Sequence, residues 1–506
     1  MIDLLILISR HGERERLFKH HTSHNERTDP PLTHNGLPTI ARVGSDLRRL
    51  YLDPTTCGET CLRGGGALEL SQVRAESSGY ARTIGTAEVL LSSLMPSSTR
   101  GTPPLPLPIY SWRGAVDDPL LRGYANCPRL ASGLEAWRQT ISYRTKENAT
   151  HALRRSLGGA LDPSQLTSGS GIELDADGAV PLHEVWNAYD TLATKPFASA
   201  SVSGSVPQRS DEETAMLASA AELSAWLEAH KFGETVGGAR ACGGALLGEI
   251  ASRVERASSS SPSEASERLV YYSAHYPTML CLLSSLGVSA DSAHPEEDRW
   301  LGERLLGFSS VLAIELHANA TPGAPSTLRM RYLDPELRAT NGTDAPDAGW
   351  RTLRLPCPGG QCEVPAQLPK LTSNGALALP KTNRTAEWLA ACGRYDDARA
   401  ASAAAGALGG ASGSALQSCL TLPTAIEYAS LVLLVALWGA LAWWFGRRTF
   451  AKQRRRGGNA VGQSNGSAVG SSISGRRART SATSEGDSTP RRDASTEFTP
   501  NVIVTD

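Results

Sequence analysis

The sequence is short of the spacings that hold metals. Its nine cysteines include no C-x-x-C pair and its eleven histidines no H-E-x-x-H, so a zinc site finds no ligand pattern here. Surplus basic charge is also missing from most of the chain. Lys+Arg number 50 against 51 Asp+Glu, and residues from 447 onward hold 11 of the former and 5 of the latter. The first 446 residues therefore sit near −7, with no basic surplus to suggest a nucleic-acid partner. No repeat of solenoid period is present. At the start, Met1-Ile2-Asp3 has no basic residue, and the apolar run Leu4–Ile8 is shorter than the roughly 7–15 residues of a signal h-region. No small-residue cleavage site follows it.

What is present is a chain of 506 residues, 40% hydrophobic and 20% charged, long enough for one or two cores. Leu4-Leu5-Ile6-Leu7-Ile8-Ser9 is a continuous apolar run, the pattern of a strand buried on both faces. It stops at Arg10-His11-Gly12-Glu13-Arg14. Bases at the end of a core strand are costly unless they meet an anion or a carboxylate. Two later runs end in the same way: Leu68–Val73 on Arg74, and Arg268–Ala274 on His275. As parallel neighbours, these three would bring Arg10, His11, Arg14, Arg74 and His275 to one pocket. Such a set suits a tetrahedral dianion, with histidine as a nucleophile. The plainer reading is ordinary strand-end bases paired with surface carboxylates.

Arg10-His11-Gly12-x-Arg14, Arg74 and Tyr272-Ser273-Ala274-His275 together resemble the histidine acid phosphatase family. The likeness extends over about residues 1–395: Leu32-Thr33-x-x-Gly36, Asn126-Cys127-Pro128-Arg129, Gly243-Gly244-Ala245-Leu246, Glu315-Leu316, Leu328–Tyr332 and Leu355–Cys362 are similar to family segments. The resemblance implies a mainly parallel α/β sheet flanked by helices, split into residues 1–110 and 262–395. A mostly helical cap at 111–261 would be inserted between them. It implies a phosphomonoester substrate, a phosphohistidine at His11, and phosphate held by Arg10, Arg14, Arg74 and His275, with no cofactor or metal. Family members carry a general-acid aspartate directly after the second histidine. This chain has Tyr276 there, and Glu76 and Glu13 are the candidate substitutes. Arg16 stands where the extended motif has proline, and Arg74-Ala75-Glu76 departs from the usual Arg-Ser-Thr-Asp. Phosphate binding is expected, with turnover weakened. The alternative is an inactive pseudophosphatase that binds phosphorylated ligands or serves at a surface or in sorting.

His20, His21, His24, Glu26 and Asp29 read as a polar loop at the pocket mouth rather than a metal site. Leu37–Leu52, the end of Val73–Leu94, Trp186–Leu192 and Glu212–Val254 carry helical periodicity, the last broken near Gly237-Gly238. Cys57/Cys61 and Cys357/Cys362 are spaced for local disulfides, and the family likeness implies a bridge between Cys127 and Cys392. With four sequons, at Asn148, Asn319, Asn341 and Asn383, these cysteines favour an oxidising lumenal or extracellular side.

Residues 396–425 read as a flexible stalk and 426–446 as a single membrane-spanning helix. Tyr428–Phe445 holds 18 uncharged residues, followed by Arg447, Arg448, Lys452 and Arg454–Arg456. The basic flank places 447–506, a disordered tail, in the cytoplasm. Export of the folded part then requires a signal peptide upstream of Met1. The oligomeric state is not legible.

Overall fold

The computed structural model describes residues 1–409 apart from 16, 18–28, 65–67, 96–106, 113–116, 163–171, 204–208, 234–237, 260–266, 289–299, 320, 322–323, 336–348, 365 and 369–383, together with 502–505. In chain order the first half runs β1 (Ile2–Arg10), α1 (Gly36–Tyr51), β2 (Val73–Ser77), α2 (Ala81–Leu94), β3 (Ile109–Trp112), α3 (Pro128–Arg138), α4 (Ile141–Ala149), α5 (His151–Ala160), α6 (Val185–Ser203), α7 (Asp211–Lys231) and α8 (Ala239–Ser259). Then come β4 (Leu269–Ala274), α9 (Tyr276–Ser285), α10 (Trp300–Glu303), β5 (Val311–His317), β6 (Ser326–Leu333), β7 (Trp350–Leu353), β8 (Cys362–Val364), α11 (Arg384–Ala391), α12 (Tyr395–Gly409) and β9 (Val502–Thr505).

The sheet order is β7-β6-β5-β1-β4-β2-β3-β9, with β8 on β6. β1, β4, β2 and β3 are mutually parallel, in register Leu5 to Leu269 and Ala75 to Tyr271. β5 runs antiparallel to β1, and β6, β7 and β8 continue antiparallel. The sheet is therefore mixed rather than mainly parallel. The reason lies in the connections: β5 ends at His317 and β6 begins at Ser326, too short a link for the dozen or more residues of a parallel crossover.

β1 lies at the centre because Ile2 and Leu4–Ile8 are apolar on both faces. Ile6 and Ile8 join a core shared with α6, α7, α8 and α9, while Leu5 and Leu7 pack on α1 and α2. The helices of residues 128–259 thus share one continuous core with a sheet face, and residues 1–403 with 500–506 form one compact unit. Residues 404–499 form a second, of which only the end of α12 is described. α7 starts where Ser210 accepts the Glu213 N–H, and Asp211, Glu212 and Glu213 complement the helix dipole.

Four disulfides link Cys57–Cys61, Cys127–Cys392, Cys242–Cys281 and Cys357–Cys362. The third ties α8 to α9 where Gly243 lets the backbones touch: any Cβ there would overlap the Cys281 carbonyl and the Ser285 hydroxyl. The expected stalk is helical in α12 as far as Gly409. The expected span at 426–446 lies outside the described residues, and among those described no helix is long and apolar enough to cross a membrane. Of the expected disordered tail, Val502–Thr505 is described, as a strand parallel to β3.

Candidate active site

Because β1, β4 and β2 are adjacent and parallel, the residues that follow them emerge together, where α/β sheets place ligands. After β1, the His11 N–H continues the ladder to the Ala274 carbonyl at 3.0 Å. Gly12 donates to Thr86 Oγ1 at 2.9 Å, and a Cβ on it would overlap the Ile40 side chain of α1. After β4, His275 caps α9. After β2, the turn Ser78–Tyr80 opens α2, whose first turn carries Arg82. Two helix N-termini thus face the same space and favour an anion there.

A cavity of about 670 Å³ opens at this point. It is lined by Arg10, His11, Arg14, Tyr80, Arg82, Arg122, His275 and Tyr276, and farther out by Leu17, Tyr124, Asn126, Pro128, Leu130, Leu134, Trp186, Lys231 and Phe232. The His11 and His275 rings stand 5.4 Å apart, edge to face. His11 Nδ1 lies 2.9 Å from the Gly12 carbonyl, which can only accept. Nδ1 therefore carries the proton in the neutral ring, and the Nε2 lone pair is left for chemistry. Burial, followed by the charges of Arg82, His275, Arg10 and Arg14, holds the His11 pKa well below 6.5. That lowering favours the neutral imidazole, the form a nucleophile needs. His275 is lowered in the same way, by burial and then by Arg82 and Arg122, and Nε2 meets Ser78 Oγ at 2.9 Å.

The arginines are fixed from behind. Arg14 is buried, its Nη2 donating to both oxygens of Asp190 on α6 at 3.0 and 3.1 Å and its Nη1 to the Glu15 carbonyl. Arg82 Nη1 donates to Asp29 at 2.6 Å. Nε of both Arg14 and Arg82 is buried without a hydrogen-bond partner among the described residues. Arg10 Nη1 donates to the Leu306 carbonyl at 2.5 Å, and its guanidinium lies over Phe308, 3.8 Å from the ring centre.

One arginine was misplaced by sequence reasoning. Arg74 is the second residue of β2, near the end of the strand away from the cavity. Its guanidinium stacks 3.6 Å from the Tyr110 ring centre, and its Nε meets Glu76 at 3.0 Å. Arg82 occupies the place expected for it. One signal pointed there: the helical periodicity of Thr83–Leu94 puts Arg82 at the start of the helix that follows the second strand.

Tyr276 does line the cavity, but its hydroxyl donates to Glu228 on α7 at 2.5 Å. Burial, and then the Glu228 carboxylate, push its pKa well above 10. Glu76 is ion-paired with Arg74 and with Arg253 at 3.2 Å, and Glu13 accepts from Thr33 Oγ1 at 2.5 Å. Neither lines the cavity. Asp190, Asp29 and Glu228 were not singled out in the sequence as partners of site residues. No cluster of metal-ligating side chains occurs among the described residues; of the suspected loop, only Asp29 is described, on Arg82.

A buried imidazole beside several guanidinium groups is an arrangement suited to an oxyanion. The chain belongs to the histidine phosphatase superfamily (branch 2), whose family pattern matches residues 19–332. Arg10-His11-Gly12 lies just ahead of that match. A search of curated protein sequences finds no match. Among solved structures, the chain is similar to Hafnia alvei phytase in complex with tartrate, at 16% identity and TM-score 0.50 over 75% of this chain and 99% of that one. It is also similar to the phytase of Klebsiella sp. ASR1, at 17%, TM-score 0.48, 75% and 98%. Bifidobacterium longum multiple inositol polyphosphate phosphatase with phosphate follows at 12%, 0.43, 74% and 94%. The likeness is one of fold.

Proposed function

We propose that the protein hydrolyses phosphate monoesters through a phosphohistidine at His11, as an acid phosphatase. The observation that carries this reading is the His11 ring. Its Nδ1 is committed to the Gly12 carbonyl, its Nε2 is open, and Arg10, Arg14, Arg82 and His275 line the same cavity. In the first step Nε2 bonds to phosphorus as the ester P–O bond breaks, and the leaving oxygen takes a proton. In the second, water attacks phosphorus, the P–N bond breaks, and inorganic phosphate leaves. The guanidinium groups and His275 meet the charge that builds on the equatorial oxygens, usually the largest contribution in such sites. A bound dianion also favours the imidazolium form of His275, with both nitrogens donating.

Tyr276 is the proton-bearing group we assign to the leaving side: its hydroxyl turns from Glu228 to give its proton to the leaving oxygen in the first step, and the phenolate takes a proton back from the attacking water in the second. As a buried phenol on a carboxylate it is a weak acid, so turnover is weakened for esters whose leaving oxygen needs protonation. That same feature favours the second reading, a phospho-ligand-binding pseudophosphatase. Release of phosphate from 4-nitrophenyl phosphate across acid pH, by the purified chain and by His11→Ala, decides between them. The expected result is turnover with an acid-labile phosphoenzyme, both lost in the variant. Ligand binding without turnover would leave the binding reading. We also propose a lumenal or extracellular N-terminal domain, glycosylated and anchored through residues 426–446. Its support is the uncharged run, its basic flank, the sequons and the cysteines.

A further inference from the structure

We infer that Glu228 is a positioning residue for the reaction: it holds the Tyr276 proton back from the leaving oxygen in the first step and helps the phenolate recover a proton from water in the second. This role rests on the phosphatase reading above and deepens it, because it sets the work of Tyr276 differently in the two steps.

Tyr276, the first residue of α9, lines the cavity, and Glu228 on α7 stands behind it, away from the lining. The carboxylate is buried, with Oε2 accepting the Tyr276 hydroxyl at 2.5 Å and Oε1 facing Lys231 Nζ at 3.3 Å. A bond of that length between a phenol and a carboxylate is charge-assisted, about twice as strong as its neutral counterpart. The Tyr276 ring is itself packed in place. The Arg10 guanidinium lies 5.2 Å from its centre, and the Trp186 ring lies 5.5 Å away at 32°. What turns is the hydroxyl hydrogen, about the C–O bond.

That hydrogen cannot serve Glu228 and the leaving oxygen at once. In the first step its bond to Glu228 breaks, and the proton passes to the leaving oxygen as the P–O bond opens. A phenolate is then left beside the carboxylate that had accepted its proton, and two like charges in a buried site repel. In the second step the same repulsion drives the reverse transfer. Water attacks phosphorus, its proton goes to the phenolate, the P–N bond breaks, and the hydroxyl closes on Glu228 again. The equilibrium bias agrees: burial, then the Glu228 charge and its hydrogen bond, raise the Tyr276 pKa well above 10. Glu228 thus slows formation of the phosphoenzyme from esters with poor leaving groups and speeds its hydrolysis.

The test is Glu228→Gln, which keeps an accepting oxygen for the hydroxyl and removes the charge. On glycerol 2-phosphate, whose alkoxide needs the proton, the purified full-length variant should turn over about 10-fold faster than the parent. On 4-nitrophenyl phosphate the leaving group needs little proton help, so hydrolysis of the phosphoenzyme is left to limit the rate. There kcat should fall about threefold, with more phosphoenzyme standing at steady state. A Tyr276→Phe background should abolish both effects, because Glu228 acts through that hydroxyl. Glu228→Met, apolar and of similar length, is the second variant should Glu228→Gln not fold, and it carries the same expectations. Changes of the same sign and size on the two substrates, or effects that persist in the Tyr276→Phe background, overturn the inference and leave the phosphatase reading standing. A parent no more active than His11→Ala on 4-nitrophenyl phosphate overturns both.

Discussion

Asp118 carries an ionisation cost that one substitution should relieve. It is fully buried on the turn that leads to Arg122, with Oδ1 accepting the N–H groups of Leu120 at 3.1 Å and Leu121 at 2.8 Å. Oδ2 is buried without a hydrogen-bond partner among the described residues. Burial pushes the pKa from 3.8 up to about 6, against the opposing pull of those N–H groups and Arg122. Between these two values the folded state holds a proton that the unfolded chain has lost, so stability falls as pH rises through that window. At about 1.4 kcal/mol per unit, the full cost above pH 6 is about 3 kcal/mol. Asp118→Asn keeps the accepting oxygen and removes the charge, but its amide inherits the unpartnered position. We therefore expect a gain of about 1–2 kcal/mol at neutral pH and none near pH 4. Urea denaturation of parent and variant from about pH 4 to about pH 7.5 reads this directly. The difference between the two curves isolates Asp118. His11 and His275, whose pKa values are lowered and whose stabilities are lost as pH falls below the ordinary 6.5, are common to both. A variant no more stable than the parent at neutral pH, or a gain that does not vary with pH, would refute the reasoning.

The two arginines give a paired test on 4-nitrophenyl phosphate. Arg82→Ala should lower kcat/KM by about 10²–10³-fold, while Arg74→Ala, away from the cavity, should change it less than about threefold. Equal losses would restore Arg74 to the site. Asp190→Ala leaves the buried Arg14 without its bidentate carboxylate and should cost about 3–5 kcal/mol in urea denaturation. A cost below about 1 kcal/mol would mean that Arg14 finds another anion or water. A tag after Asp506 should be cut by protease on the cytoplasmic face of sealed vesicles if residues 426–446 span the membrane. Pairing of Val502–Thr505 with β3 would then be excluded in the inserted chain, since the two lie on opposite sides. Protection of the tag together with the N-terminal domain would sink the membrane assignment.

Local pattern was enough to place the central strand and its ending. A run apolar on both faces has nowhere to sit but mid-sheet, and Arg10-His11-Gly12 closes it at the ligand-binding end. Helical periodicity located α1, α2, α7 and α8 within a few residues, and close spacing located two disulfides. The second strand was not legible in the same way. Leu70–Gln72 is a 3-10 turn, and the strand proper is the polar Val73–Ser77. Its charges are tolerated only because Arg74 stacks on Tyr110 and Glu76 meets Arg253 of α8, contacts made across the fold. With the strand end displaced by a few residues, Arg74 was chosen where Arg82 belongs. Asp190, Glu228 and the Cys242–Cys281 bridge were hidden for a related reason. A carboxylate or cysteine on an amphipathic helix looks like any other until tertiary packing sets it behind Arg14, Tyr276 or α9. Local pattern records which face a residue turns inward; what it meets there is decided by elements far away in the chain.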